Sequence, residues 1–201
     1  MSVNLQKGGK ISLVKEGSGG LKSVMVGLGW DEVEQKRGFF APKPQEIDCD
    51  ASVILCGEDG KLVSSDVKQC CVYFGNLRHP SGAVVHHGDN LTGGGEGDDE
   101  QITVDLQNIP DNIKKLVFTV NIYDARARHQ HFGLIRNAFI RLVDNNNGNE
   151  ICRYNLTEEY DGMTGLIVGE LNKQGSTWSF NAIGQGVLEA SRLGSLINMY
   201  K

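Results

Sequence analysis

The 201-residue chain lacks the features that mark membrane, secreted and nucleic-acid-binding proteins. No apolar run approaches the roughly 20 residues that a membrane-spanning helix needs, and the N-terminus has no apolar stretch of the signal-peptide kind. The 20 basic residues are outnumbered by 25 acidic ones, whereas a general nucleic-acid binder presents a basic face. These absences predict a soluble, cytoplasmic protein that does not bind nucleic acid.

Cysteine spacing of the metal-binding or disulfide kind is also missing. The five cysteines include no C-x-x-C pair, which argues against a zinc site. An odd number without a secretory signal argues against a disulfide framework. We therefore expect reduced, buried thiols at Cys49, Cys56, Cys70, Cys71 and Cys152.

Proline and helical periodicity are scarce, while glycine and alternating apolar residues are plentiful. The chain has only 4 prolines but 26 glycines, without a collagen-like period, which is typical of many short strands joined by tight turns. About ten or eleven strands are predicted, with a short helix capped by Asp124 and a C-terminal helix over about residues 187–200. This pattern predicts a mainly β protein, a two-sheet β-sandwich with a few short helices. The predicted strands cover residues 21–31, 47–55, 71–74, 84–87, 102–106, 115–123, 139–143, 150–154, 166–171 and 177–182.

Fixed spacings indicate an internal duplication. The segment NLT occurs twice, at 90–92 and at 155–157. The residues that follow the first copy are of the same kinds, and at the same distances from it, as those that follow the second. Upstream, KSVMVGLGWD (22–31) resembles KLVFTVNIYD (115–124), and DASVIL (50–55) occupies the position of NAFIRL (137–142). We expect a single domain over residues 1–201 with halves at about 21–113 and 114–183.

The strongest chemical signal is the acidic loop, residues 89–100, with the sequence DNLTGGGEGDDE. Between residues 89 and 112 there are seven carboxylates and not one lysine or arginine. Carboxylates this close repel one another, and a loop held between two strands cannot relieve the repulsion by extending. Carboxylate, amide and carbonyl oxygens suit Ca²⁺, which takes six to eight oxygen ligands. The loop therefore predicts a calcium site, with a solvated loop that binds nothing as the alternative.

Further acidic residues are expected to join this loop. Period-two alternation places Asp48 and Asp50 side by side on one strand face, and Asp31 ends another strand. Because a sandwich gathers strand ends and loops at its poles, these groups could converge. The spacing does not fit an EF-hand. In the second half Met163, Thr164 and Gly165 replace the DDE triplet, so we expect a weaker site there or none.

Four segments together resemble the TerD family of bacterial tellurium-resistance and general stress proteins. They are GLGWD (27–31), IDCDAS (47–52), GDNLTGGGEGDDE (88–100) and the NAF–R run (137–141). The resemblance implies a β-sandwich that binds calcium through its acidic segments, and some relatives are described as cyclic-AMP binders. It also implies that the ion ligands or near-ligands are Asp31, Asp48, Asp50, Asp89, Asn90, Asp98, Asp99 and Glu100.

Three classes of function follow from these observations. The favoured one is a non-catalytic, calcium-dependent scaffold or docking protein in the stress response and tellurite resistance. Its expected partners are other tellurite-resistance or stress proteins, with the membrane surface as a further docking target. The alternatives are a metal-dependent phosphate-ester hydrolase and a binder of a small anionic ligand, such as a cyclic nucleotide, bridged by calcium. Direct thiol chemistry with tellurite is not expected, since Cys49 and Cys71 lie in predicted strands.

Overall fold

A computed structural model describes residues 2–14, 21–32, 47–88 and 97–201 of the chain. In this part of the chain twelve strands form two six-stranded sheets. In spatial order, sheet A contains β1 (Val3–Leu5), β10 (Glu150–Asn155), β9 (Ile135–Asp144), β3 (Ser23–Glu32), β7 (Glu100–Asp105) and β6 (Val84–His86). Sheet B contains β2 (Lys10–Ser12), β12 (Thr177–Val187), β11 (Gly165–Gln174), β8 (Lys115–Ile122), β4 (Cys49–Cys56) and β5 (Cys71–Val72). The predicted mainly β, two-sheet architecture is confirmed.

The main core lies between the two sheets, as the period-two patterns predict. From sheet A, Val26 and Leu28 of β3 face inward, and from sheet B, Val53 of β4 and Phe118 of β8 meet them. All four are almost completely inaccessible to solvent. Burial of such side chains is the main stabilising contribution in a domain of this size.

A second, smaller core covers the outer face of sheet B. Ile54 and Val117 point away from the main core and pack against Leu196 and Ile197 of the C-terminal helix. Every residue of β4 is therefore buried, including Asp50 and Ser52 on its outward face. The alternation along β4 is present, but its polar face is covered rather than solvated.

The helices are short: α1 (Val67–Cys70), α2 (Ala125–Arg128), a 3-10 helix at Phe132–Leu134 and α3 (Leu193–Asn198). The predicted C-terminal helix over 187–200 is thus shorter than expected. Residues up to Val187 continue β12, where Val187 pairs with Gly165, so their backbone groups are used in the sheet. Asp124 precedes α2, but its side chain makes no capping hydrogen bond.

The N-terminal strands β1 and β2 were not predicted. Each has three residues, and each is mostly exposed at a sheet edge, where no alternating apolar pattern is needed. β1 pairs in parallel with β10, and β2 pairs antiparallel with β12. Both strands therefore extend sheets that the rest of the chain already forms.

The two sheets share a strand arrangement that a duplication would produce. Sheet A contains β9–β3–β7 and sheet B contains β4–β8–β11, so each sheet pairs the first strand of one half with the second strand of the other. The register also repeats: Val26 lies opposite Ile102, and at the equivalent place Thr119 lies opposite Ile167. The duplication itself stays a prediction, with this shared register in its favour.

One detail of the predicted alignment does not follow the register. Asp50 lies opposite Asn121, whereas in the other sheet Ile140 lies opposite Leu28. Leu28 and Asn121 occupy the same place in the aligned segments 22–31 and 115–124, so this register pairs Asp50 with Ile140, three residues from Asn137. The two alignments differ here, and both rest on the predicted duplication.

Replacing Leu196 by alanine tests the second core. Leu196 is fully buried against the outer face of sheet B, so Leu196→Ala is expected to lower the free energy of unfolding by about 2–5 kcal/mol. Chemical denaturation measures this change. Met199→Ala, one turn away and 47% exposed, is the matched control and should change stability by less than about 0.5 kcal/mol. Equal effects of the two substitutions would contradict the packing described.

Candidate functional site

Two glycines of β3 make room for the site on the outer face of sheet A. A Cβ atom on Gly27 would lie 2.3 Å from the carboxylate of Asp98, and one on Gly29 would lie 2.3 Å from the ring of Phe139. No side chain can occupy either position without displacing its neighbour. The glycines of GLGWD therefore allow the end of the acidic loop to lie directly on the strand.

Asp98 is held on this surface by an arginine from the second half. Arg141 of β9 donates from Nε to Oδ1 at 2.7 Å and from Nη2 to Oδ2 at 2.9 Å, a bidentate pair. The Asp98 side chain is 0% exposed. Hydrogen bonding to Asp98 is the main reason that the pKa of Arg141 is raised, and Glu150 adds to it. Asp98 thus has its counter-ion within the protein.

Glu100 points the opposite way, into the space between the sheets. Its Oε2 lies 2.9 Å from Nε2 of His86, and both side chains are almost completely buried. The same oxygen accepts a hydrogen bond from the backbone N–H of Ala51 at 3.1 Å. Because Ala51 belongs to β4 and Glu100 to β7, this carboxylate joins sheet B to sheet A.

Asp99 lies between these two anchored residues. Its backbone N–H donates to Leu28 O at 2.7 Å, and its Oδ2 accepts from the backbone N–H of Trp30 at 2.7 Å. Burial is the largest cause that raises the pKa of Asp99, and the charges of Asp31 and Asp98 raise it further. Asp98 is neutralised by Arg141, so Asp31 and Asp99 remain as neighbouring carboxylates.

Asp31 reaches this group from the end of β3. Its Oδ2 accepts a hydrogen bond from Nδ2 of Asn137 at 2.8 Å, and Asp31 is exposed. Asn137 has a left-handed backbone conformation with φ of 53°, which asparagine tolerates better than most residues. The amide supplies no charge to offset that of the Asp31 carboxylate.

Asp48 and Asp50 form a separate pair on sheet B. Oδ2 of Asp48 lies 3.4 Å from Nη1 of Arg128, and Oδ2 of Asp50 lies 3.4 Å from Nδ2 of Asn121. Within residues 2–14, 21–32, 47–88 and 97–201 no three metal-ligating side chains form a cluster able to hold an ion. Asp89 and Asn90 lie outside the described residues.

The sequence argument overlooked the distant partners of the acidic triplet. Arg141 lies 43 residues beyond Asp98, and His86 precedes Glu100 by 14 residues on another strand. A count of local basic residues could not find them, although Arg141 belongs to the NAF–R run that carries the resemblance. As expected from strand geometry, only one of the two histidines faces this site: His86 faces inward, and Nε2 of His87 contacts Thr103 Oγ1 on the exposed side.

All five cysteines are buried, and none of them forms a disulfide. Burial is the main cause that raises the pKa of Cys56 to about 12 and of Cys152 to about 12, and it also raises the pKa of Cys70 and Cys71. Since the thiolate is the reactive form, these thiols are poor nucleophiles at neutral pH. The expectation of buried, reduced thiols fits this geometry.

Comparison with known proteins decides the family. The sequence profile of the TerD domain matches residues 1–200. The chain belongs to the TerD family. It is 50% identical over 204 residues to stress response protein SCP2 of Bacillus subtilis (strain 168), covering 100% of both chains. It is 41% identical over 201 residues to tellurium resistance protein TerD of Serratia marcescens, covering 100% of this chain and 97% of that one.

A solved structure has the same fold. The crystal structure of a homologue of telluride resistance protein (TerD) from Streptomyces coelicolor A3(2) superposes with a TM-score of 0.60 and 23% identity, covering 83% of this chain and 90% of that one. The family profile and the sequence relatives confirm the TerD assignment inferred from four motifs, together with membership of a tellurium-resistance and general stress-response family. Among the described residues, no helix is long and apolar enough to cross a membrane.

Removing Arg141 tests the anchor of this TerD domain. Arg141→Gln leaves the Asp98 carboxylate buried without a counter-ion, so the free energy of unfolding should fall by about 3 kcal/mol. Asp98→Asn in the same chain should recover part of the loss, and the double-mutant cycle gives the coupling energy. Lys173→Gln, which breaks a pair with the 99% exposed Asp111, should change stability by less than about 1 kcal/mol. Additive effects of the Arg141 and Asp98 substitutions would contradict the pairing.

Thiol labelling tests the burial of the cysteines. The folded protein should react slowly with an aromatic disulfide reagent at mildly alkaline pH, because few thiolates exist there and none is accessible. After unfolding in guanidinium, all five thiols should react rapidly. Absorbance of the released aryl thiolate measures both rates. Rapid stoichiometric labelling of one thiol in the native protein would reopen direct thiol chemistry.

Proposed function

We propose that this protein is a calcium-binding stress-response protein of the bacterial cytoplasm, associated with tellurite resistance. It would act without catalysis, as a calcium-dependent scaffold or docking module. The observation that carries the proposal is the pair of neighbouring carboxylates, Asp31 and Asp99, which have no cationic partner among the residues that the structure describes.

Some of the described carboxylates are suitable calcium ligands, and others are already bound by side chains of the protein. Asp31 and Asp99 are hard oxygen donors and would be its ligands, together with Asp89 and Asn90 of the loop. Asp98 and Glu100 are already paired with Arg141 and His86, so they would position the loop instead of coordinating. Asp48 and Asp50, with Arg128 and Asn121, would at most support the site from sheet B.

Calcium binding would stabilise the folded state of the protein. An ion that binds the folded protein and not the unfolded chain stabilises it by about 2.7 kcal/mol at a hundredfold excess over Kd. The bound ion would also reverse the local charge, and this change would make docking on a partner depend on calcium. Partners would be other tellurite-resistance or stress proteins, with the membrane surface as a further target.

The hydrolase alternative gains no support from the histidine nearest the site. His86 is buried between Glu100 and the carbonyl of Ala51, at 2.9 Å and 3.3 Å. In this position it cannot take a proton from a water above the acidic loop. The non-catalytic function therefore remains the proposal.

The Asp99→Asn variant distinguishes the effect of charge repulsion on thermal stability from the effect of calcium binding. The amide oxygen can still accept the N–H of Trp30, but the charge beside Asp31 is gone. In chelator the variant should unfold at the same temperature as the wild type or higher, because the burial and repulsion of the charge are removed. With saturating calcium the wild type should gain about 5–10 °C and the variant little or nothing.

Differential scanning calorimetry in the two buffers measures this crossover. Asp111→Asn removes a fully exposed carboxylate elsewhere on the surface and should respond to calcium as the wild type does. An equal calcium-induced shift in Asp99→Asn and the wild type would rule out Asp99 as a ligand. No shift in the wild type at millimolar calcium would reject the calcium proposal itself.

A further inference from the structure

A cluster of exposed apolar side chains lies beside β5 and β6, the edge strands of the two sheets. Three of the eight large apolar residues that are exposed in the described part of the chain fall within residues 67–77: Val67 at 39%, Phe74 at 49% and Leu77 at 44%. These three residues are called the apolar tip below. Single exposed apolar residues are ordinary on a protein surface, whereas a cluster of them is typical of an interaction surface.

Phe74 lies in a two-residue turn that hydrogen bonds hold in place. Tyr73 N–H donates to Asn76 O at 3.2 Å, and Asn76 N–H donates to Tyr73 O at 2.8 Å, so that Phe74 and Gly75 form the turn. The rings of Tyr73 and Phe74 meet edge to face, with 5.4 Å between their centroids. The exposed ring of Phe74 is therefore positioned before any partner binds, which lowers the entropy cost of docking.

Further hydrogen bonds bring the other two residues of the apolar tip to this turn. Asn76 Nδ2 donates to Lys68 O at 3.2 Å, which holds the turn against α1, where Val67 lies. His86 N–H donates to Leu77 O at 2.8 Å, which places Leu77 beside β6. The apolar tip is thus a fixed feature of the edge that β5 and β6 form together.

The segment that carries the apolar tip contains no carboxylate. Between Asp66 and Asp89 the sequence has no aspartate or glutamate, in a chain with 25 acidic residues. Its lysine and arginine, Lys68 and Arg78, are both exposed. Within residues 2–14, 21–32, 47–88 and 97–201 neither of them is paired with a carboxylate. Each of these two cations is next in sequence to a residue of the apolar tip.

This combination of apolar and cationic side chains fits an anionic bilayer. Apolar side chains gain burial at the boundary between headgroups and acyl chains, while lysine and arginine beside them bind lipid phosphates. Three apolar residues alone cannot supply the roughly 800 Å² per partner of a stable protein interface. The whole chain has a net charge of −5, so attraction to an anionic surface requires a local cationic region of this kind.

We propose that the apolar tip docks this protein on an anionic phospholipid surface. Phe74 and Leu77 would enter the bilayer, and Lys68 and Arg78 would bind lipid phosphates. The inference rests on the docking function proposed above, and it names the surface and the kind of lipid. The acidic loop begins at residue 89, directly after the carboxylate-free segment, so calcium bound there would offset negative charge that repels the same lipids.

Co-sedimentation with vesicles tests the proposal. In calcium the wild type should bind vesicles that contain phosphatidylglycerol and should not bind vesicles of phosphatidylcholine alone. Phe74→Ser and Leu77→Ser should each weaken binding about tenfold, because the lost side chain can no longer be buried in the bilayer. Val3→Ser removes a 44% exposed valine at the opposite edge of sheet A and is the matched control. It should bind as the wild type does.

A second pair of variants tests the part played by charge. Lys68→Gln should weaken binding to phosphatidylglycerol vesicles about fivefold, the effect of one cation near an anionic surface. Lys10→Gln removes an exposed lysine at the opposite edge of sheet B and should leave binding unchanged. Equal effects of these two substitutions would contradict the role of Lys68.

The outcomes distinguish this surface from calcium-dependent docking. If the wild type binds equally in calcium and in chelator and Phe74→Ser weakens that binding, the apolar tip stands and the calcium dependence is rejected. If calcium stabilises the wild type against heat but no vesicles bind, or if Phe74→Ser and Val3→Ser bind equally, the apolar tip is rejected and calcium binding stands. Should Phe74→Ser fail to fold by circular dichroism, Leu77→Ser decides the question.

The same variants test a second copy of the chain as the occupant. Light scattering of the lipid-free protein should give the same mass for the wild type and Phe74→Ser. A wild-type dimer that Phe74→Ser dissociates would assign the apolar tip to an interface between copies and would overturn the lipid proposal.

Discussion

The burial of Asp98 and Glu100 on opposite faces of sheet A, Asp98 just before β7 and Glu100 at its start, is the constraint on which the site depends. Removing a carboxylate from water is costly unless a charge and hydrogen bonds replace the water. Arg141 supplies both for Asp98 on the outer face of sheet A, and His86 and the N–H of Ala51 supply hydrogen bonds to Glu100 between the sheets. The two anchors come from different strands, so the end of the acidic loop is positioned only when both sheets are assembled.

These contacts distinguish the three carboxylates of the acidic triplet, residues 98–100, from one another. Three consecutive carboxylates appear in the sequence as one negative cluster, but in the folded protein Asp98 has the counter-ion Arg141 and Glu100 is hydrogen-bonded to His86. The charge left over belongs to Asp99, with Asp31 close by. A site built in this way offers a cation a small number of fixed oxygens, held by residues that need not coordinate it.

The loops of the two predicted halves differ in chemistry. Where the first half has the DDE triplet, the second half has Met163, Thr164 and Gly165. A strand register that repeats between the sheets thus supports loops with different side chains.

Much of the fold could be predicted from the sequence, because alternating burial fixes strands such as β3 and β8 within two residues of their observed ends. The short edge strands β1 and β2 could not, since exposed three-residue strands carry no apolar period. Val187 was assigned to a helix because the apolar stripe at Leu193, Leu196 and Ile197 says nothing about where that helix begins.

For the site, local spacing identified the carboxylates but not their partners. The pairing of Asp98 with Arg141 depends on β9 lying next to β3, and that adjacency is a property of the topology. The convergence expected for Asp48 and Asp50 rested on both sheets sharing one pole. That convergence stays a prediction. Among the described residues Asp48 contacts Arg128 and Asp50 contacts Asn121.

A crystal structure of the calcium-loaded protein tests the central claim most directly. The account predicts an ion at about 2.3–2.6 Å from oxygens of Asp31 and Asp99, with the Asp98–Arg141 and Glu100–His86 pairs intact. An ion coordinated by Asp98 or Glu100 with those pairs broken, or only water beside Asp31 and Asp99 at millimolar calcium, would contradict it.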